Sequence, residues 1–121
     1  MPKDPRPYLE HILQSIQLIQ QYISGHTKEE FFKSYELQDA IIRRVEIIGE
    51  AVRNLDDDLK KRHPEVPWRQ IINMRNFLIH EYFDVNLQET WDTLQRDLPT
   101  LNEKVSKILS SNCIPSSLKE Y

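Results

Sequence analysis

Arg75, His80 and Tyr82 fall inside one helix-forming segment that runs from Trp68 to Tyr82. Four residues separate the arginine from the histidine, and one separates the histidine from the tyrosine. A guanidinium can hold a phosphate through two hydrogen bonds and stabilise charge that develops on it. An imidazole titrating near neutrality can take a proton from a ribose 2′-hydroxyl or return one to a leaving oxygen. Together the two suit metal-independent cleavage of a phosphodiester, in which the RNA 2′-oxygen attacks the adjacent phosphate. Asn76 stands beside Arg75, where it can orient a phosphate, orient His80, or make a structural hydrogen bond.

On an α-helix, at roughly 100° per residue, Trp68, Ile71, Ile72, Leu78 and Ile79 form an apolar stripe. Arg75 lies at its centre and Tyr82 shares that face. A buried arginine is costly unless it is paired or at an interface. The alternative is a stem that packs while the charged head escapes to water. His80 is about 140° round the helix from Arg75, so one straight helix does not aim both groups at one point. Either the helix end loosens near His80, or a second copy of the chain completes the site across a two-fold interface. The second arrangement, a homodimer, is the expected one.

The elements that must position these residues are helical. The chain has 121 residues, only two glycines, and long stretches rich in Leu, Ile, Glu, Gln, Lys and Arg. A first helix is predicted from about Pro5 to Ile23, with Asp4 as its cap and Gly25 as its end. Thr27 to Glu30 matches a capping box and starts a short helix carrying Phe31 and Phe32. A long helix follows from about Tyr35 to Leu55. Gly49 inside it implies close approach of another backbone, within the chain or across a dimer. Asp56 to Arg62 is a charged turn or short helix. Pro67 suits the first position of the motif helix. The last helix runs from Leu87 to about Leu109, capped by Asp84 or Asn86, with a kink expected near Gln95 from Pro99. These elements give an all-α chain, an up-and-down four-helix bundle with a short extra helix. Residues 1–110 form the domain and residues 111–121 read as a flexible tail.

Composition narrows the function. One cysteine, Cys113, cannot form an internal disulfide, and no apolar run reaches the length of a membrane span. A cytoplasmic protein with no membrane role is expected. The net charge of −3 argues against coating nucleic acid by bulk positive charge. The cations from Arg43 to Arg75 are interleaved with acids and read as a mixed, solvated surface. Glu46 and Glu50, four residues apart, read as a surface pair rather than a metal site. No Cys-x-x-Cys pair and no glycine-rich phosphate loop is present.

The segment Arg75-Asn-Phe-Leu-Ile-His80-Glu-Tyr82 resembles the signature of the HepT-like branch of the HEPN superfamily. Ile47-Ile-Gly-Glu-Ala51 is similar to that family's second-helix signature, and Pro67-Trp68 and Trp91 also fit. The resemblance covers roughly residues 5 to 109. It implies a HEPN-like helical bundle that forms homodimers. It implies the toxin of a HepT/MntA-type toxin–antitoxin pair, an endoribonuclease with Arg75 and His80 as its catalytic residues and Asn76 in support. By the same likeness Tyr82 would be the hydroxyl that a MntA-like nucleotidyltransferase antitoxin AMPylates with ATP, silencing the toxin. No cofactor of its own is expected. Glu50 is left outside the catalytic set, as a partner for a local arginine. Two other readings stand beside this one: a non-catalytic nucleotide-binding partner of a minimal nucleotidyltransferase, and a helical dimer whose motif only stabilises its interface.

Overall fold

The computed structural model describes residues 4–81 and 86–110, with the backbone alone for 79–81. These described residues form six helices and no strand: α1 (Arg6–Ser24), α2 (Lys28–Lys33), α3 (Tyr35–Asn54), α4 (Asp57–Arg62), α5 (Trp68–Glu81) and α6 (Leu87–Ser110). Two short helices, α2 and α4, therefore accompany the four longer ones; of the two forms open to Asp56–Arg62, a charged turn or a short helix, it takes the helix. The tail from residue 111 lies outside the described residues.

Local chemistry sets the helix ends. Pro5, not Asp4, occupies the N-cap of α1. Asp4 still serves the helix start, because its carboxylate accepts from the Arg6 backbone N–H at 3.0 Å and pairs with the Arg6 guanidinium at 2.7 Å. That hydrogen-bonded arginine holds the Asp4 carboxyl below its ordinary pKa. Gly25 is the C-cap of α1, but with φ of −86° it needs no glycine-specific conformation. The capping box of α2 is complete: Thr27 Oγ1 accepts from the Glu30 N–H at 3.1 Å, and Glu30 Oε1 accepts from the Thr27 N–H at 2.8 Å. Ser34 caps α3 through the Leu37 N–H at 3.0 Å. Pro67 sits one residue earlier than expected, its carbonyl accepting from the Ile71 N–H at 3.0 Å. Asn86 caps α6 through the Glu89 N–H at 3.0 Å, and Glu89 reaches back to the Asn86 amide at 3.1 Å; Asp84 lies outside the described residues. α6 continues through Pro99. Pro99 and Gln95 are both exposed, so the Gln95 carbonyl that loses its donor can be hydrated.

The apolar stripes meet in one core. α1 packs on α3 and α6, α3 packs on α5, and α2 leans on α3 and α6. Leu9, Ile12, Ile16 and Ile19 of α1 face Ile41, Val45, Ile48 and Val52 of α3, with Trp91, Leu94, Leu98, Leu101, Val105 and Ile108 of α6 closing the cluster. Phe31 of α2 enters it against Trp91, their ring centres 5.3 Å apart. The link into α5 is pinned separately. Trp68 Nε1 donates to the His63 carbonyl at 3.0 Å, and Lys104 Nζ of α6 donates to the Glu65 carbonyl at 2.7 Å. These two bonds fix the start of the helix that carries the motif.

Candidate functional site

Burial along α5 follows the expected stripe only in part, and the side chain of Ile79 lies outside the described residues. Trp68, Ile71 and Leu78 are buried, whereas Ile72, Arg75 and Asn76 are half-buried. Arg75 occupies this place because α3 makes room for it. A methyl group at Gly49 would stand 2.9 Å from Arg75 Cγ and 3.2 Å from its Cβ. The close approach that Gly49 permits is therefore made within one chain, by the stem of Arg75. At the far end of that stem, Nη1 donates to Asn76 Oδ1 at 2.9 Å. The packed stem is what a snorkelling arginine requires, and Asn76 fixes the direction in which the head emerges.

The Arg75 side chain emerges into a cavity of about 310 Å³ between three helices. Tyr8 and His11 come from α1. Arg43, Glu46, Glu50 and Asn54 come from one face of α3, at successive turns. Ile47 and Ala51 supply its apolar wall. Asn54 is oriented by donating to the Glu50 carbonyl at 2.9 Å. Glu46 is half-buried and Glu50 exposed. Among the described residues neither glutamate forms an ion pair with Arg43 or Arg75, although all four line one cavity. The expected pairing of Glu50 with a local arginine is thus not found there. The two glutamates are not merely a surface pair: they border the same space as the arginine of the motif.

Of the sequence-predicted site residues, Arg75 and Asn76 are brought together. The His80 side chain and Tyr82 lie outside the described residues. The backbone of α5 stays helical to Glu81. Positions 75 and 80 are accordingly about 140° apart around the helix and about 7.5 Å apart along it. A loosened helix end before Glu81 is not the arrangement adopted. Residues that the sequence reading missed are Tyr8 and His11. Nothing local marks them; only the packing of α1 on α3 brings them beside Arg75. Among the described residues no three His, Cys, Asp or Glu side chains converge to hold a metal ion, and no helix is long and apolar enough to cross a membrane.

An all-helical chain with an arginine seated on a glycine of the neighbouring helix can be compared with known proteins. The family model described as "Ribonuclease HepT-like" matches residues 12–108. The chain belongs to this HepT-like family. Two similar proteins are named as putative RNases. One, from Methanocaldococcus jannaschii, also carries gamma-glutamylcyclotransferase in its name; it is 46% identical over 109 residues, which cover 90% of this chain and 49% of that protein. The chain thus spans about half the length of that relative. The other, from Caldanaerobacter subterraneus, is 46% identical over 88% of this chain and 96% of its own. A Thermococcus cleftensis protein named "Probable ribonuclease HepT" is 41% identical over 89% of this chain and 98% of its own. No solved structure gives a significant match.

Proposed function

We propose that this protein is a ribonuclease that cleaves RNA without a metal ion. Arg75 binds and neutralises the scissile phosphate, and His80 moves the proton of the attacking 2′-hydroxyl or of the leaving 5′-oxygen. Asn76 holds the guanidinium in place. The observation that carries this reading is the arginine itself: a charged side chain on the packing stripe of α5, accommodated by a glycine of α3 and facing a cavity. A helix built only for stability would carry leucine at that position. The names of the three relatives, each given as a putative or probable ribonuclease, support RNA cleavage as the reaction.

The active unit is proposed to be a homodimer of HEPN-like four-helix bundles. α5 stays helical to Glu81 and separates positions 75 and 80 around its axis. A two-fold partner would bring its own copy of α5, so that Arg75 of one protomer meets His80 of the other. The chain would act as the toxin of a HepT/MntA-type pair. Its antitoxin, a minimal nucleotidyltransferase, would transfer AMP from ATP to Tyr82; the added phosphate beside the site would repel an RNA phosphate.

The test is cleavage of labelled single-stranded RNA by the purified protein in excess EDTA. Cleavage to 2′,3′-cyclic phosphate ends is expected, and its loss in Arg75→Ala and His80→Ala proteins that remain folded. Undiminished cleavage by both variants contradicts the assignment. The non-catalytic alternative, a nucleotide-holding partner of the nucleotidyltransferase, has the cavity beside Arg75 in its favour. It predicts nucleotide binding with no RNA cleavage by the parent protein. AMPylation is read by mass: whole AMP units on Tyr82 with ATP and the antitoxin, and none in Tyr82→Phe.

A further inference from the structure

The cavity beside Arg75 holds more than a phosphate site needs. A phosphodiester is anionic, so two carboxylates lining the same space as the arginine weaken its hold on phosphate. Glu46 and Glu50 nevertheless stand one turn apart on α3 and line that space together with Arg43 and Arg75. Among the described residues neither glutamate is spent on an ion pair with these arginines. The cavity therefore offers acceptors and donors side by side, uncancelled, along a face of α3 about 16 Å long. Its volume of about 310 Å³ lies at the lower end of the ~300–1,000 Å³ range of small-molecule sites.

We propose that this cavity, resting on the ribonuclease reading above, is a nucleobase subsite that selects guanine next to the phosphate held by Arg75. Single-stranded RNA is read through splayed bases whose Watson–Crick and Hoogsteen edges meet side chains. Guanine presents two adjacent, parallel donors, N1–H and N2–H, which match the two oxygens of one carboxylate. Adenine and cytosine offer a single exocyclic amine at that edge, and uracil a single ring N–H. Guanine also presents O6 and N7 as paired acceptors, which suit a guanidinium bidentately. One carboxylate of the Glu46–Glu50 pair supplies the first match and Arg43 the second. Ile47 and Ala51 give the apolar wall against which a base face can lie. The lining residues named here come from α1, α3 and α5 of one protomer, around the same Arg75 that the dimer reading brings to a partner's His80.

Two measurements test this. The first titrates the purified full chain with GMP, AMP, CMP and UMP, followed by calorimetry. GMP is expected to bind about tenfold or more tightly than the other three, and the preference to disappear in the Glu46→Gln/Glu50→Gln protein. Equal affinities for the four nucleotides, or an unchanged preference in that variant, overturns the proposal; should the variant not fold, the parent's discrimination alone decides. The second measures kcat/KM on oligoribonucleotides that differ at one base. A roughly tenfold preference for cleavage beside guanine is expected, collapsing in the double variant. Cleavage with no base preference overturns the subsite while leaving the ribonuclease reading intact. GMP-selective binding in a protein that cuts no RNA upholds the subsite and removes the ribonuclease reading instead.

Discussion

α5 and α6 carry the same kind of helical repeat and treat it differently. On α6 the stripe begins with half-buried Leu87 and is buried from Trp91 through Leu94, Leu98, Leu101 and Val105 to Ile108. On α5 the stripe starts with buried Trp68 and Ile71, gives way to half-buried Ile72 and Arg75, and resumes at buried Leu78. Across from α6 the neighbouring helix offers large aliphatic side chains; across from Arg75, α3 offers Gly49. One helix is a wall and the other is a wall with a socket. The difference teaches where stability was given up: the core forgoes a packed leucine on α5 and a side chain on α3 to seat the stem of one arginine.

Substitutions should separate the two helices. Arg75→Ala should leave the chain folded, yet lower RNA cleavage by about 10²–10³-fold, the usual loss when one charge-stabilising donor is removed. Parallel circular dichroism and single-turnover cleavage check this. On the other helix, Leu94→Ala removes a side chain with no exposed surface. It should cost about 2–5 kcal/mol of stability in urea unfolding, and activity should follow the folded fraction only.

Gly49→Ala tests the socket itself. Alanine favours the helix by about 1 kcal/mol, but the new methyl meets the root of the Arg75 side chain at 2.9 Å rather than its flexible end. Either α5 shifts or the guanidinium is re-aimed. Activity should fall more than stability does. In an Arg75→Ala background the Cγ and Cδ contacts are gone, so the same substitution should be less costly there. A double-mutant cycle by urea unfolding reads that coupling, and additive effects would remove the socket from the account.

The smallest effects belong far from both helices. Thr27→Ala should cost about 1 kcal/mol through loss of the α2 cap, with RNA cleavage unchanged. The Glu30 carboxyl is held below its ordinary value of 4.5, chiefly by the Thr27 backbone N–H. Its folded pKa is thus below its unfolded one, so the stabilisation is present above the unfolded value and fades as pH falls through the folded one. The stability gap between parent and Glu30→Gln should therefore narrow in acid unfolding series below about pH 4.5.

Much of this was legible before any coordinates. The capping box at Thr27, the α6 stripe and the misplaced charge at position 75 are local patterns, and local patterns survive in sequence. Errors of one residue arose where two groups share a job, as Asp4 and Pro5 do at the start of α1, or where proline can sit at N-cap or first turn, as Pro67 does. The meaning of Gly49 was not legible, because a close approach names no partner until α5 is laid across α3. The cavity was less legible still. Glu46 and Glu50 look like a solvated pair on their own helix, and His11 looks like any exposed histidine; only three packed helices place them around Arg75.

The central claim is that Arg75 marks half of a site completed by a partner's His80. Mixing the Arg75→Ala and His80→Ala proteins tests it. If the site spans the two-fold interface, a mixed dimer unites one intact Arg75 with one intact His80. Random exchange should then restore about a quarter of parental cleavage, since half the dimers are mixed and each holds one of two sites. Subunit exchange with no recovery of cleavage would contradict the account.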